Sequence, residues 1–217
     1  MDTSIIGVAL PDIQADLGFT PESLSWVFNA YVVAFGGLLL LGGRLADVFG
    51  ARKIFALGWV VLIVGSVLAG AASSIGLEIA GRAIQGAGSA MIAPAALTLL
   101  MMLFGGTRDL PKAFAVYGAA APVGGSAGVF LGGVLTEYAS WPWVFYVTVP
   151  IAVLVLAFTA SALPRTEKKA SGSIDVVGAL TVTLGLAALV YAVVNAPEVG
   201  WLALPTLAAL VVGVVLL

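Results

Sequence analysis

Charged residues punctuate the chain at long intervals and leave uncharged, apolar runs at 23–43, 54–77, 83–107, 113–136, 138–164, 176–197 and 199–217. A bilayer core needs about 20 apolar residues as helix, and each run is near or above that length. Backbone groups in lipid must be satisfied within their own segment, so each run is predicted to be a helix. The expected helices lie near 24–42, 54–72, 77–104, 112–135, 143–163, 174–195 and 201–217. A further apolar stretch, MDTSIIGVAL, opens the chain, and Pro11 is expected to end it. From Asp2 to Pro11 is about 13 Å of helix, roughly half of the hydrocarbon core. This first helix is therefore read as truncated.

Composition agrees with lipid as the solvent. The chain is 61% hydrophobic and only 9% charged, whereas a soluble domain carries about a quarter charged residues. It has no cysteine and no histidine, which removes thiolate metal sites, thiol nucleophiles and the commonest general base. No metal site, cofactor or enzyme activity is expected. The net charge of −2 does not suggest a nucleic-acid partner. The start of the chain also lacks the basic region and small-residue cleavage site of a secretory signal peptide.

The charges also set an orientation. Arg44, Arg52, Lys53, Arg108, Lys112, Arg165, Lys168 and Lys169 all fall in alternate connections, and the ninth basic residue, Arg82, lies inside a span. The intervening connections hold Asp12, Asp16, Glu22, Glu137 and Glu198. By the positive-inside rule the basic side is cytoplasmic, so the first helix runs from inside to outside. Trp141 and Trp143 then fall at the outer end of a span, where interfacial aromatics gather. The polar stretch 164–173 (PRTEKKASGS) is expected to be a cytoplasmic linker between a bundle at 1–163 and a helix pair at 174–217.

Five places can carry chemistry. GGRLADVFGARK (42–53) is a short loop in which glycine permits a tight turn and Asp47 can accept bonds from helix termini; an ordinary basic loop would look similar. Arg82 within a span is costly unless paired or watered, although an arginine near a helix end can also snorkel outward. Gln85, Gly86 and Ser89 follow it at helical spacing and extend a small, polar stripe. Asp2 is the acidic residue expected deep in the bilayer, where a proton or a cationic substrate can meet it, or else a fraying terminus at the surface. Gly124, Gly128 and Gly132, with Gly125 and Gly133, strip one helix face for close packing, and Pro122 is expected to bend that helix. Asn29 and Tyr31 are candidates for lining a pathway or for packing.

These stretches, in this order, resemble the major facilitator superfamily. The 42–53 segment resembles its signature loop between helices 2 and 3 through Gly43, Leu45, Ala46, Asp47, Gly50 and Arg52, beside Lys53, while Val48 and Ala51 stand where basic residues are usual. LEIAGRAIQGAG (77–88) resembles the helix-4 motif, whose arginine is linked to proton coupling. MDTSIIGVALP (1–11) resembles the helix-1 motif of drug–proton antiporters, with Asp2 at the aspartate. GGSAGVFLGGVL (124–135) resembles their helix-5 motif, with Val129 in place of a proline. WPWVFYVTVP (141–150) resembles the entry to helix 6, and 173–194 with Gly200 and Trp201 resembles the extra helix pair of the fourteen-helix drug-exporter branch.

The resemblance implies an all-α integral membrane fold, a six-helix N-terminal bundle with its first helix truncated plus an additional helix pair. It implies a multi-pass protein of the cell membrane, in bacteria the inner membrane. The implied activity is proton-coupled efflux of small amphipathic or cationic molecules. Asp2, Arg82 and Gln85 would handle charge, and the 43–53 loop would gate. The partners would be lipid, a small-molecule substrate, protons and a C-terminal half, of which this chain would be the N-terminal counterpart. No ATP-binding GxxxxGK[ST] loop occurs, so an ion gradient is the natural energy source. Two alternatives remain, a facilitator-type metabolite carrier and a non-transporting membrane protein.

Overall fold

The computed structural model describes residues 2–163 and 175–217, and among them the regular structure is entirely helical. In chain order the helices are α1 (Asp2–Leu17), α2 (Pro21–Leu24), α3 (Trp26–Phe49), α4 (Ala51–Gly70), α5 (Ile75–Phe104), α6 (Leu110–Tyr138), α7 (Trp143–Tyr146), α8 (Thr148–Ala162), α9 (Val176–Val199) and α10 (Leu204–Leu216). Among the described residues six segments are long and apolar enough to cross a membrane. Large apolar side chains such as Leu40, Val60, Val64, Leu154 and Phe158 stand exposed around them, as a lipid-facing belt requires. The linker expected at 164–173 lies outside the described residues.

Helix α5 is the centre of the arrangement, with α3 packed along one side and α4 along the other. α8 packs on the far side of α4, and α9, backed by α10, on the far side of α3. α1 lies against α6, and the short α7 touches α1, α4 and α6. The larger apolar core gathers Ile5, Ile6, Ala9 and Ile13 of α1 with Val27, Ala69, Val144 and Phe145. Between lipid-soaked helices there is little hydrophobic driving force, so close contact depends on small residues. A Cβ on Gly58 would lie 2.8 Å from the Gly88 carbonyl, and one on Gly81 would lie 2.7 Å from the Ala69 nitrogen. The glycines of α4 and α5 thus bring two backbones into direct contact.

Several boundaries differ from the sequence expectation. Pro11 does not end the first helix: α1 runs on to Leu17, 16 residues in all, or about 24 Å. A proline removes one backbone hydrogen bond, yet the buried stripe Ile5, Ile6, Ala9 and Ile13 crosses it without interruption and holds both halves on the same core. Gly18, at φ 72, closes α1 instead. The 42–53 segment is not an open loop. α3 continues to Phe49, α4 begins at Ala51, and Gly50 alone breaks the helical path, at φ 96. The span expected at 143–163 divides at Val147 into α7 and α8. Trp141, which directly precedes that region, does not face lipid: it is buried, and its Nε1 donates to Asp16 Oδ2 at 2.9 Å. Trp143 is the exposed member of the pair.

Candidate coupling site

Arg82 lies two turns into α5 and is fully buried, which removes the snorkelling alternative. Its seclusion follows from the residues around it. Gly81 admits α4 at Ala69, and a side chain on Gly86 would collide with the Tyr31 carbonyl of α3. The two glycines therefore let both neighbouring helices close over the guanidinium. Nε donates to the Val27 carbonyl of α3 at 2.8 Å, and Nη1 donates to Gln85 Oε1 at 2.5 Å. Gln85 Nε2 in turn donates to Ser66 Oγ of α4 at 2.8 Å. The ring of Tyr31 lies under the guanidinium, 4.7 Å from centroid to Cζ, an arrangement favourable to a cation.

One buried positive charge thereby ties three helices together. Gln85 and Ser66 are themselves fully buried, so these bonds form where water cannot substitute for them. Such a guanidinium offers a fixed attraction for a carboxylate or an anionic group. The sequence-predicted residues Arg82, Gln85 and Tyr31 are brought together. Gly86 serves the packing, and Ser89 is half-buried further along α5. Asn29 is half-buried on α3, two residues past the Val27 carbonyl that Arg82 engages. Asp2 begins α1, and its side chain lies outside the described residues.

Sequence reasoning missed one residue. Glu78, one turn before Arg82 on α5, is also fully buried, so Asp2 is not the sole acidic candidate within the membrane. The sequence pattern gives Glu78 no role and only places it near the start of the helix expected at 77–104. The available signal was its spacing of four residues from Arg82, which places both on one helix face.

At the opposite end of the bundle, Gly50 separates α3 from α4, and Arg52 reaches across to α8. Its Nε donates to the Thr159 carbonyl at 3.1 Å and its Nη2 to the Ala160 carbonyl at 2.7 Å. Those carbonyls belong to the last turn of α8, where they have no partner within the helix. Gly43 lies beside Pro94 of α5, while Asp47 and Lys53 are exposed. A cavity of 230 Å³ opens between α3 and α9, lined by Arg44 and Asp175 among apolar residues. A wider apolar groove of 570 Å³ lies between the inner ends of α5 and α6. Neither is lined by Arg82.

The helix-5 glycines divide by role. Gly128 and Gly132 are buried in α6, and a Cβ on Gly132 would lie 2.7 Å from the Ile5 carbonyl of α1. Gly124 is half-buried on the same face. Gly133 has open space where a Cβ would stand.

The Major Facilitator Superfamily model matches residues 1–217. The chain belongs to the major facilitator superfamily. The chain is similar to the puromycin resistance protein of Streptomyces alboniger, at 44% identity over 218 residues, covering 100% of this chain and 43% of that protein. It is similar to the cephamycin export protein of Amycolatopsis lactamdurans, at 46% identity over 202 residues, covering 92% and 42%. The methylenomycin A resistance protein of Bacillus subtilis (strain 168) is 34% identical over 201 residues, covering 93% and 43%. The chain thus spans 42–43% of the length of these curated relatives. A crystal structure of an auto-inhibited POT family peptide transporter shares the fold, with a TM-score of 0.62 at 16% identity, covering 100% of this chain and 47% of that one.

Proposed function

We propose that this major facilitator chain supplies the charge-handling half of a proton-coupled antiporter that exports small amphipathic or cationic molecules. The observation that carries the reading is the buried Arg82, bonded to the Val27 carbonyl and to Gln85. Ionisable groups buried within spans default to function, since their cost selects against idle occurrence. Transporters of this type hold substrate between two repeats and rock one repeat against the other. In this reading Arg82 and Gln85 hold the coupling charge and Asp2 meets the proton or the cation. The Gly43–Lys53 segment, pivoting at Gly50 and latched by Arg52, is the gate. The Gly124, Gly128 and Gly132 face lets α6 move against α1. The names of these relatives, resistance to puromycin and methylenomycin A and export of cephamycin, support drug-like cargo.

The test uses cells stripped of their own pumps and expressing the complete reading frame that contains this chain. Puromycin tolerance and ethidium efflux should both rise, and a protonophore should collapse the efflux. Efflux that survives the protonophore would sink proton coupling. Membrane expression with no efflux of either compound would favour a metabolite carrier or a non-transporting protein.

A further inference from the structure

We propose that Glu78 is a proton-binding residue of the transporter, acting on the Arg82 guanidinium one helical turn away. The proposal rests on the antiport reading above and deepens it. Glu78 and Arg82 are both fully buried, four residues apart on α5. Ser74 caps α5, its Oγ accepting from the Leu77 nitrogen at 3.4 Å, so Glu78 stands at the end of the first turn. An acid buried beside a guanidinium within a span is costly to keep without a function, and it is one turn from the charge it would act on.

The helices around the start of α5 carry several charged and titratable groups: Asp2, Asp12 and Asp16 on α1 and Glu22 on α2, with others on α3, α4, α6 and α7. Along α3 these are Tyr31, Arg44 and Asp47, and along α4 they are Arg52 and Lys53. Tyr31 lies at the level of Arg82. Arg44 and Asp47 follow Val27 by 17 residues or more, about 25 Å along the helix, and Lys53 precedes Ser66 by 13, about 20 Å. On α6, Lys112 is at the cytoplasmic end, paired with Asp109 at 3.3 Å, and Glu137 is exposed at the outer end. On α7, Tyr146 packs against Gly70 near the outer end of α4.

Proton uptake converts the Glu78 carboxylate into a neutral carboxylic acid and removes one negative charge from beside the Arg82 guanidinium. Release of the same proton restores it. Arg82 is bonded to the α3 backbone and, through Gln85 and Ser66, to α4. A change of charge at Glu78 is therefore delivered to both helices that enclose α5. Glu78 is a positioning residue in this scheme, since it acts through Arg82.

The experiment uses the complete transporter in lipid vesicles with a trapped pH dye, and puromycin as the probe. Puromycin-driven proton movement is measured together with the pH midpoint of puromycin binding. E78Q should lower the proton movement about tenfold or more, a size common for coupling between linked sites, while puromycin still binds. E78D should keep the movement and displace the midpoint. E78Q with wild-type proton movement and an unchanged midpoint would make Glu78 a purely structural acid and overturn the proposal. If E78Q does not assemble, an unchanged midpoint in E78D overturns it alone. Wild-type vesicles that bind puromycin yet move no protons would remove the antiport reading and this proposal together, a result seen before any substitution is made.

Discussion

Arg82 of α5 donates through Nε to the main-chain carbonyl of Val27 on α3, across 2.8 Å. The acceptor is backbone, so no substitution at position 27 short of distorting the helix removes it. The interaction is governed from the arginine side alone. A lysine there keeps the charge but loses the planar fork that serves Val27 and Gln85 at once while lying over Tyr31. Arg82→Lys is therefore expected to cost about 1.5–3 kcal/mol, the scale of a lost hydrogen bond to a charged group. Thermal unfolding in detergent checks the stability, and drug efflux in cells should fall in parallel. Wild-type efflux in Arg82→Lys would show that charge alone suffices.

Gln85 is oriented at both ends, accepting from Arg82 and donating to Ser66. Ser66→Ala removes only the far bond and is expected to cost about 0.6 kcal/mol, the mean for interhelical hydrogen bonds in membranes. Gln85→Leu should cost several times more, because it also strips the arginine of an acceptor. In a double-mutant cycle the two should be clearly non-additive, Ser66→Ala adding almost nothing once Gln85→Leu is present. Full additivity in thermal unfolding would mean that the chain from Arg82 to Ser66 does not act as a unit.

Much of this was legible in the chain because lipid imposes a blunt rule: long uncharged runs must be helices. The spans, their order and the isolation of Arg82 followed from that rule. What escaped reading were places where tertiary contact overrides a local signal. Pro11 reads as a helix stop, but the buried stripe from Ile5 to Ile13 carries α1 through it. The basic, glycine-bearing segment at 42–53 reads as a loop, but a single positive-φ glycine at position 50 suffices to join two helices. Glu78 does not stand out in the chain, because a hydropathy pattern gives no angle around the helix axis. Its role depends on being buried one turn from Arg82.

Gly132 and Gly133 of α6 are chain neighbours with opposite surroundings. A methyl group on Gly132 would lie 2.7 Å from the Ile5 carbonyl, whereas one on Gly133 meets nothing within 4 Å. Backbone cannot yield as a flexible side chain does, so Gly132→Ala is expected to push α1 from α6 at a cost of about 1–3 kcal/mol, as overpacking does. Gly133→Ala should leave thermal stability within about 0.5 kcal/mol of the parent. Paired cysteines on α1 and α6 give a second readout, their crosslinking rate falling in Gly132→Ala only. Equal effects at the two positions would mean that this glycine face is not the seat of the α1–α6 contact.

Arg52 closes the last turn of α8 from the first turn of α4, through the Thr159 and Ala160 carbonyls. The carbonyl end of a helix carries partial negative charge, so the guanidinium contributes electrostatically as well as by its two bonds. It also joins the segment around Gly50 to the end of the six-helix bundle. Arg52→Ala is expected to destabilise by about 1 kcal/mol, typical of a cation lost from a helix C-terminus. Arg52→Lys should recover only part of this, since one ammonium cannot reproduce the two-pronged contact. If Arg52 is a gate latch and not only a cap, Arg52→Ala should also make a cysteine at position 161 on α8 react faster with a water-soluble thiol reagent applied from the cytoplasmic side. A stability loss of the stated size with unchanged labelling would leave Arg52 as a helix cap and remove it from the gate.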